Sequence, residues 1–175
     1  MSAYPTDLHH YLLQLYPLWQ QKFPLLSDYF EHRVFETGEF VDVYPGDLYI
    51  VNQGTVGKYY KKTPKRYILR HELIIVPSER SSFNFKALEP CHLWLLSQQK
   101  LHDILSRYPQ SHVLQQLLLN KQQQSLDFRT QLLELPKADR LSFFRKQYSP
   151  VIPLISRTEL AQFLHISGEY LRRLF

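Results

Sequence analysis

The last twenty residues, Ser156 to Phe175 (SRTELAQFLHISGEYLRRLF), leave the chain few ways to fold there. Their spacing predicts two short helices joined by a tight turn. Ser156 is a good N-cap, and Glu159 three positions later completes a capping box. Leu160, Phe163 and Leu164 follow at i, i+3 and i+4, which is one apolar helix face. Ala161 is small, as a close helix crossing requires. His165-Ile166 forms the turn, with Ile166 as an inward plug; His tolerates the left-handed backbone better than most residues. Ser167 caps the second helix, and Glu169 complements its positive end. Leu171 and Leu174 point inward, while Glu169, Arg172 and Arg173 share the opposite face. The chain stops at Phe175 without a polar tail, so the second helix is expected to fray or to be cut from a longer chain.

This layout serves a helix-turn-helix whose second helix lies in a major groove with its polar side chains outward. An ordinary helical hairpin has it too. Charge bears on the choice. The chain carries a net +5, and from Lys137 onward there are seven Lys/Arg against three Asp/Glu. The residues before Lys137 hold fourteen against thirteen. The positive excess therefore sits with the two helices, which suits a polyanionic partner, although a solvated surface also allows it.

With 175 residues and a 44% hydrophobic fraction, the chain can build one domain or two small ones around a real core. No apolar run approaches the ~20 residues of a membrane span, and the N-terminus has no signal-peptide pattern. Cys91 is the only cysteine, so no disulfide framework or thiolate metal cluster is expected. A reducing cytoplasm is the expected setting.

Taken in order, Tyr4 to Phe30 reads as helix in pieces. Leu8, Tyr11, Leu12 and Leu15 make one face ended by Pro17, and a second short helix is expected at about 25–32. His9 and His10 point about 100° apart on a helix and do not chelate one ion. From Arg33 to Ser97 the period changes to two. Strands are expected around 34–35, 40–44, 48–51, 55–60, 66–69, 73–76, 83–88 and 92–96, with Gly and Pro turns between them. Such spacing argues for a β-barrel or jelly roll. Lys61, Lys62, Lys65 and Arg66 read as a basic hairpin loop. Helix returns at Gln98 and breaks at Tyr108-Pro109. A long helix then spans 110–135, with Leu114, Leu118, Phe128, Leu132 and Leu135 at a/d-like positions and Lys121 and Ser125 interrupting the seam. That stripe is expected to pack on a second copy, on the chain's own barrel, or on both. Pro136 ends it, and a helix over 138–148 and a linker over 149–153 lead to the terminal pair.

An α+β order of N-terminal helices, β jelly roll, long helix and C-terminal helix-turn-helix resembles the Crp/Fnr family of bacterial transcription regulators. The residues that carry it are FETGEF around Gly38, VNQGTV around Gly54, ALEPCHLWLLS from Ala87 to Ser97, and LAQFLHISGEYLRRLF at the end. The resemblance covers essentially the whole chain. It implies a cyclic-nucleotide-binding-like sensor domain over 1–109, a dimerisation helix over 110–136 and a DNA-binding domain over 137–175. It also implies a homodimer on double-stranded DNA, with two recognition helices reading half-sites about one helical turn apart. Matched to the family's recognition helix, Glu169 and Arg173 fall at base-contacting positions. Gly168 replaces a residue that is often basic or polar, and Arg172 is offset towards phosphate.

The family's effector cassette can be laid on HELIIVPSERSS. Glu72 would then meet ribose hydroxyls, and Arg80 with Ser81 would meet phosphate, a bidentate guanidinium contact. His71 replaces the family's Gly and denies the backbone its close approach. The connection is also short for a helix whose N-terminus cradles phosphate. A trimmed β-hairpin is therefore the expected structure, with no tight cyclic AMP binding, no resident cofactor and an effector left open. One cysteine cannot hold an iron–sulfur cluster, and nothing points to haem. The enzyme alternative, a metal-dependent cupin, needs an H-x-H pair within the strands, and none occurs there. The remaining alternative to a DNA-binding regulator is an effector sensor or interaction protein on the same scaffold.

Overall fold

In the computed structural model, which describes residues 4–77 and 82–175, the N-terminal pattern gives helix α1 (Tyr4–Leu15). Leu8, Tyr11 and Leu12 are buried on one face. A short α2 (Trp19–Lys22) and a single 3-10 turn (Leu26–Tyr29) follow. The helix expected at 25–32 is cut off there, because β1 (Glu31–Phe35) pairs antiparallel with β7 (Cys91–Leu96) and takes His32 into the ladder opposite Trp94. Sheet pairing overrides a weak local helix signal.

The remaining strands are β2 (Leu48–Gln53), β3 (Val56–Tyr60), β4 (Thr63–Ile68), β5 (Leu73–Ile75) and β6 (Phe83–Ala87). They form a four-stranded sheet in the order β1-β7-β2-β5 and a three-stranded sheet in the order β4-β3-β6. Tyr49, Val51, Leu93 and Leu95 of one sheet and Val56, Ile68, Phe85 and Ala87 of the other share one apolar core. The stretch 40–44 contributes only a single bridge, Phe40 to Lys86, in place of the expected strand. The Tyr49 hydroxyl instead donates to the Asp42 carbonyl and holds the stretch as a crossing loop. The expected basic loop at 61–65 is a tight hairpin. Tyr60 pairs with Thr63, Lys61 takes a positive φ of 55°, and Pro64 sits on an edge strand. Gly54 turns β2 into β3 at φ +87°, where a Cβ would lie 2.6 Å from the Pro90 carbonyl.

The outer face of the four-stranded sheet (Leu48, Ile50, Leu73, Trp94, Leu96) is covered by α1, α2, α3 (Gln98–Arg107) and the start of α4 (His112–Glu134). α4 then runs on to a third core with α5 (Arg140–Tyr148), the buried Val151, α6 (Arg157–Leu164) and α7 (Gly168–Leu174). The two apolar pairs of α4 serve different cores: Leu114 and Leu118 the first, Phe128 and Leu132 the third. Lys121 falls in the gap, its ammonium 4.4 Å from the centre of the Tyr11 ring. The polar interruption of the stripe thus marks the space between two cores of one chain. The stretch 149–153, expected as a linker, is a 3-10 turn anchored by Val151. None of the described helices is long and apolar enough to cross a membrane.

Candidate nucleic-acid interface

The Ser156 hydroxyl accepts from the Glu159 N–H at 3.1 Å and starts α6 as the sequence suggests. The Glu159 carboxylate also has a distant partner, the Tyr59 hydroxyl of β3, which donates to it at 2.6 Å. Burial, then this carboxylate, hold the Tyr59 phenol well above its usual range. Leu160, Ala161, Phe163 and Leu164 are buried, and the Phe163 ring lies 4.8 Å from Tyr67 of β4. α6 is therefore bound to the three-stranded sheet by one hydrogen bond and one aromatic contact.

The turn after α6 is a Schellman motif. His165 has φ 52° and ψ 47°, its N–H donates to the Gln162 carbonyl, and the Ile166 N–H donates to the Ala161 carbonyl. Ile166 packs into the third core, as expected of the plug. Burial, then Arg129, Arg140 and Lys65, lower the His165 pKa, so its ring favours the neutral form. The carbonyls at the end of α6 are taken by arginines. Arg129 of α4 donates to Phe163 at 2.5 Å, and Arg140 of α5 donates to Leu164 at 2.9 Å. Arg140 also donates to the Leu133 and Leu135 carbonyls at the end of α4. One guanidinium thus joins two helix C-termini, where a cation is favoured by the peptide dipoles. Sequence reasoning counted Arg140 among the free positive charges; its environment makes it a structural clamp.

The Ser167 hydroxyl accepts from the Tyr170 N–H at 3.1 Å and starts α7. Leu171 is buried and Leu174 packs on the same core. The other face is open. Glu169 and Arg173, one turn apart, form an ion pair at 2.5 Å with side chains 71% and 69% exposed. Arg172 bends the other way and reaches the Gly168 carbonyl at 3.5 Å. A Cβ at Gly168 would meet nothing within 4 Å, so nothing there demands glycine and a longer side chain would project into solvent. Arg172 and Gly168 edge a shallow concavity of about 370 Å³ with Arg157, Thr158 and Gln162 of α6. Arg157 and the polar pair beside it were not singled out from sequence. Their position at the first turn after Ser156 was the available signal.

The second predicted site is described only in part. Glu72 is described; Arg80 and Ser81 lie outside the described residues. The Glu72 carboxylate accepts from the Leu69 N–H at 3.1 Å and lies 3.6 Å from the Arg66 guanidinium. His71 keeps the left-handed backbone, φ 66°, that a glycine would take there. Its N–H is spent on the Val51 carbonyl at 2.7 Å, and its ring packs against Tyr11. The hairpin is thus closed on itself at Glu72.

No family model and no curated protein matches the chain. Solved structures do. FixK2 from Bradyrhizobium japonicum superposes with a TM-score of 0.65 at 14% identity, over 83% of this chain and 82% of that one. The c-di-GMP-responsive global regulator CLP of Xanthomonas campestris gives 0.62 at 19% identity, over 84% and 85%. A protein from Eubacterium rectale described as a transcriptional regulator of the Crp/Fnr family gives 0.64 at 14% identity, over 92% and 85%. The fold of this chain, jelly roll followed by C-terminal helices, is the fold of these regulators.

Proposed function

We propose that this chain is a cytoplasmic Crp/Fnr-type transcriptional regulator that binds duplex DNA through α6 and α7. The observation that carries the reading is the C-terminal helix pair itself. It is capped at both starts, turned by a Schellman motif, and presents Glu169, Arg172 and Arg173 to solvent from a helix whose other face is buried. In this reading α7 enters the major groove. Glu169 and Arg173 reach base edges, where an Arg–guanine pair gives ~1–3 kcal/mol of discrimination. Arg172 and Arg157, on either side of the concavity, take phosphates. Gly168 is a groove-facing position without a contact of its own. No catalytic role is part of the reading.

The division into sensor (1–109), long helix (110–136) and DNA-binding unit (137–175) belongs to the same proposal, as does a homodimer through α4. The dimer seam, however, is not the stripe read from the sequence. Leu114, Leu118, Phe128 and Leu132 are consumed within the chain. What α4 offers a partner is Leu119 and Leu126, seven residues apart and exposed. A heptad interval keeps two side chains on one seam of a coiled helix pair. Two copies then set two α7 helices for half-sites about 34 Å apart.

Glu72 serves the hairpin in this account and is not offered as a ribose ligand. The proposal is tested by fluorescence anisotropy of the full chain on a pool of random duplexes. Binding that weakens steeply with salt supports it. No binding at low salt would leave a sensor or interaction protein on the same scaffold.

A further inference from the structure

Ser97, Ser156 and Ser167 take an extended backbone, with ψ of 152–156°, and their hydroxyls cap α3, α6 and α7. A fourth serine, Ser111, precedes α4 and does not cap it. A 3-10 turn over Pro109–Ser111 runs straight into that helix and holds Ser111 at φ −69° and ψ −7°. This helical backbone keeps the hydroxyl from the capping position. Ser111 is only 2% exposed, and its Oγ has no hydrogen-bond partner among the described residues. An orphaned buried hydroxyl costs stability.

Ser111 lies on the wall of a cavity of about 90 Å³, between the outer face of the four-stranded sheet and the helices that cover it. Leu12 of α1, Ile50 of β2, Leu96 of β7, Ile104 of α3 and Leu118 of α4 are among its walls. Of its described lining residues, only Ser111 and Gln115 have polar side chains, and none is charged. Gln115 and Leu119, one turn apart on α4, are the exposed ones and form the mouth. The cavity lies across the sheet from the core that the two sheets share. It has no residue in common with the Glu72–Arg80–Ser81 cassette, and no residue of α6 or α7 lines it.

We propose that this cavity binds a short, neutral aliphatic alcohol, with its hydroxyl on Ser111 and its chain along the leucine and isoleucine walls towards the mouth. A charged ligand would give up its hydration with no counter-charge in the walls. Water is poorly served as well. A buried water typically makes ~3 hydrogen bonds, and Ser111 is the one polar side chain inside the mouth. Apolar cavities of this kind take apolar guests: an engineered one of ~150 Å³ lined by Leu, Ile and Phe binds benzene. At ~30 Å³ for each water-sized group, about 90 Å³ holds roughly three, so a chain of about three or four carbons fits, with its last carbon at the mouth. An alcohol hydroxyl donates and accepts as a serine hydroxyl does, so each satisfies the other.

The test is an NMR titration of the nitrogen-labelled full chain with n-propanol and, separately, with n-butanol, followed through the amide shifts. Shifts that saturate and centre on 111–119, β2 and β7 are expected. The extra methylene of butanol should tighten binding about fourfold. Ser111→Ala should bind n-butanol about fivefold more weakly, the worth of one neutral hydrogen bond. It should bind n-butyl chloride, which has the same chain and no hydroxyl, as well as the wild type does. Without ligand, Ser111→Ala should unfold at no lower urea concentration than the wild type, because the hydroxyl it lacks has no partner to lose. Shifts that rise to tens of millimolar alcohol without saturating overturn the proposal. So does equal affinity for the two alcohols, or n-butanol affinity unchanged in Ser111→Ala. Earlier unfolding of Ser111→Ala overturns it too, by making the hydroxyl part of the fold. The titration contains no DNA, so its failure leaves the DNA-binding proposal standing, and the reverse holds too.

Discussion

Replacing Leu119 and Leu126 together by Glu should dissociate the dimer while leaving the fold intact. The two side chains are 49% and 42% exposed in the single chain, so each has about half of its surface left to bury. Fully burying a leucine is worth ~1.5–3 kcal/mol, which leaves roughly 1 kcal/mol per side chain for the partner. Two leucines from each of two chains give about 3–5 kcal/mol, or roughly a 10²- to 10⁴-fold loss of affinity at about 1.4 kcal/mol per decade. Four introduced carboxylates on one seam add repulsion. The single chain loses the half of each leucine already buried in it, roughly 1 kcal/mol per side chain, which is short of unfolding it. The contrasting variant is Leu132→Ala. Leu132 is 0% exposed and sits in the third core, so its truncation should cost ~2–5 kcal/mol of stability. Sedimentation velocity, with urea unfolding of the same samples, separates the two effects. A Leu119→Glu/Leu126→Glu chain that still sediments as a dimer would refute the seam, and a wild type that is monomeric at tens of micromolar would refute the dimer.

His165→Gly should raise stability by about 1 kcal/mol in urea unfolding, because glycine takes the left-handed turn without the Cβ penalty and the His165 ring is exposed. Tyr59→Phe removes the hydroxyl that donates to Glu159. It should cost about 1–2 kcal/mol, at the lower end for a bond to a charged group since Glu159 is half-exposed, and should raise hydrogen exchange in α6. Burial is the first cause of lowered pKa values at His32, His71 and His165. The unfolded chain therefore binds protons that the folded chain refuses, and stability present above the ordinary value of 6.5 should be lost as pH falls through the folded values. Thermal melts from pH 7.5 to 5 should show that loss, with a shallower slope in His165→Gly.

What the sequence made legible was what short-range chemistry controls. Ser156, Ser167, the left-handed His165 and the Ile166 plug are local devices, and each does what its residue type suggests. The apolar runs of β2 and β7 and the stop at Pro136 were equally plain. What stayed hidden needed a partner distant in the chain. The α4 stripe announces burial but not against what, so one pattern fits a coiled coil and an internal helix alike. The link from Tyr59 to Glu159 spans a hundred positions with no local mark. Arg140 reads as a surface cation until four carbonyls at two helix ends, those of Leu133, Leu135, Leu164 and His165, converge on it. At 25–32 the helical signal lost to a sheet ladder whose other strand lies about sixty residues away.

The most direct test of the central claim is selection of a randomised duplex library at two salt concentrations by the wild type, Arg173→Ala and Arg172→Ala. Arg173 and Glu169 lie one turn apart on the open face of α7, and Arg172 points into the concavity with Arg157. Arg173→Ala should weaken the selected site by ~1–3 kcal/mol and relax the preference at one base of each half-site. Arg172→Ala should weaken all sequences nearly equally and flatten the salt dependence. If the wild type selects no sequence, or if both variants keep its affinity and selectivity, α6 and α7 are a structural hairpin and the chain does not read DNA through them.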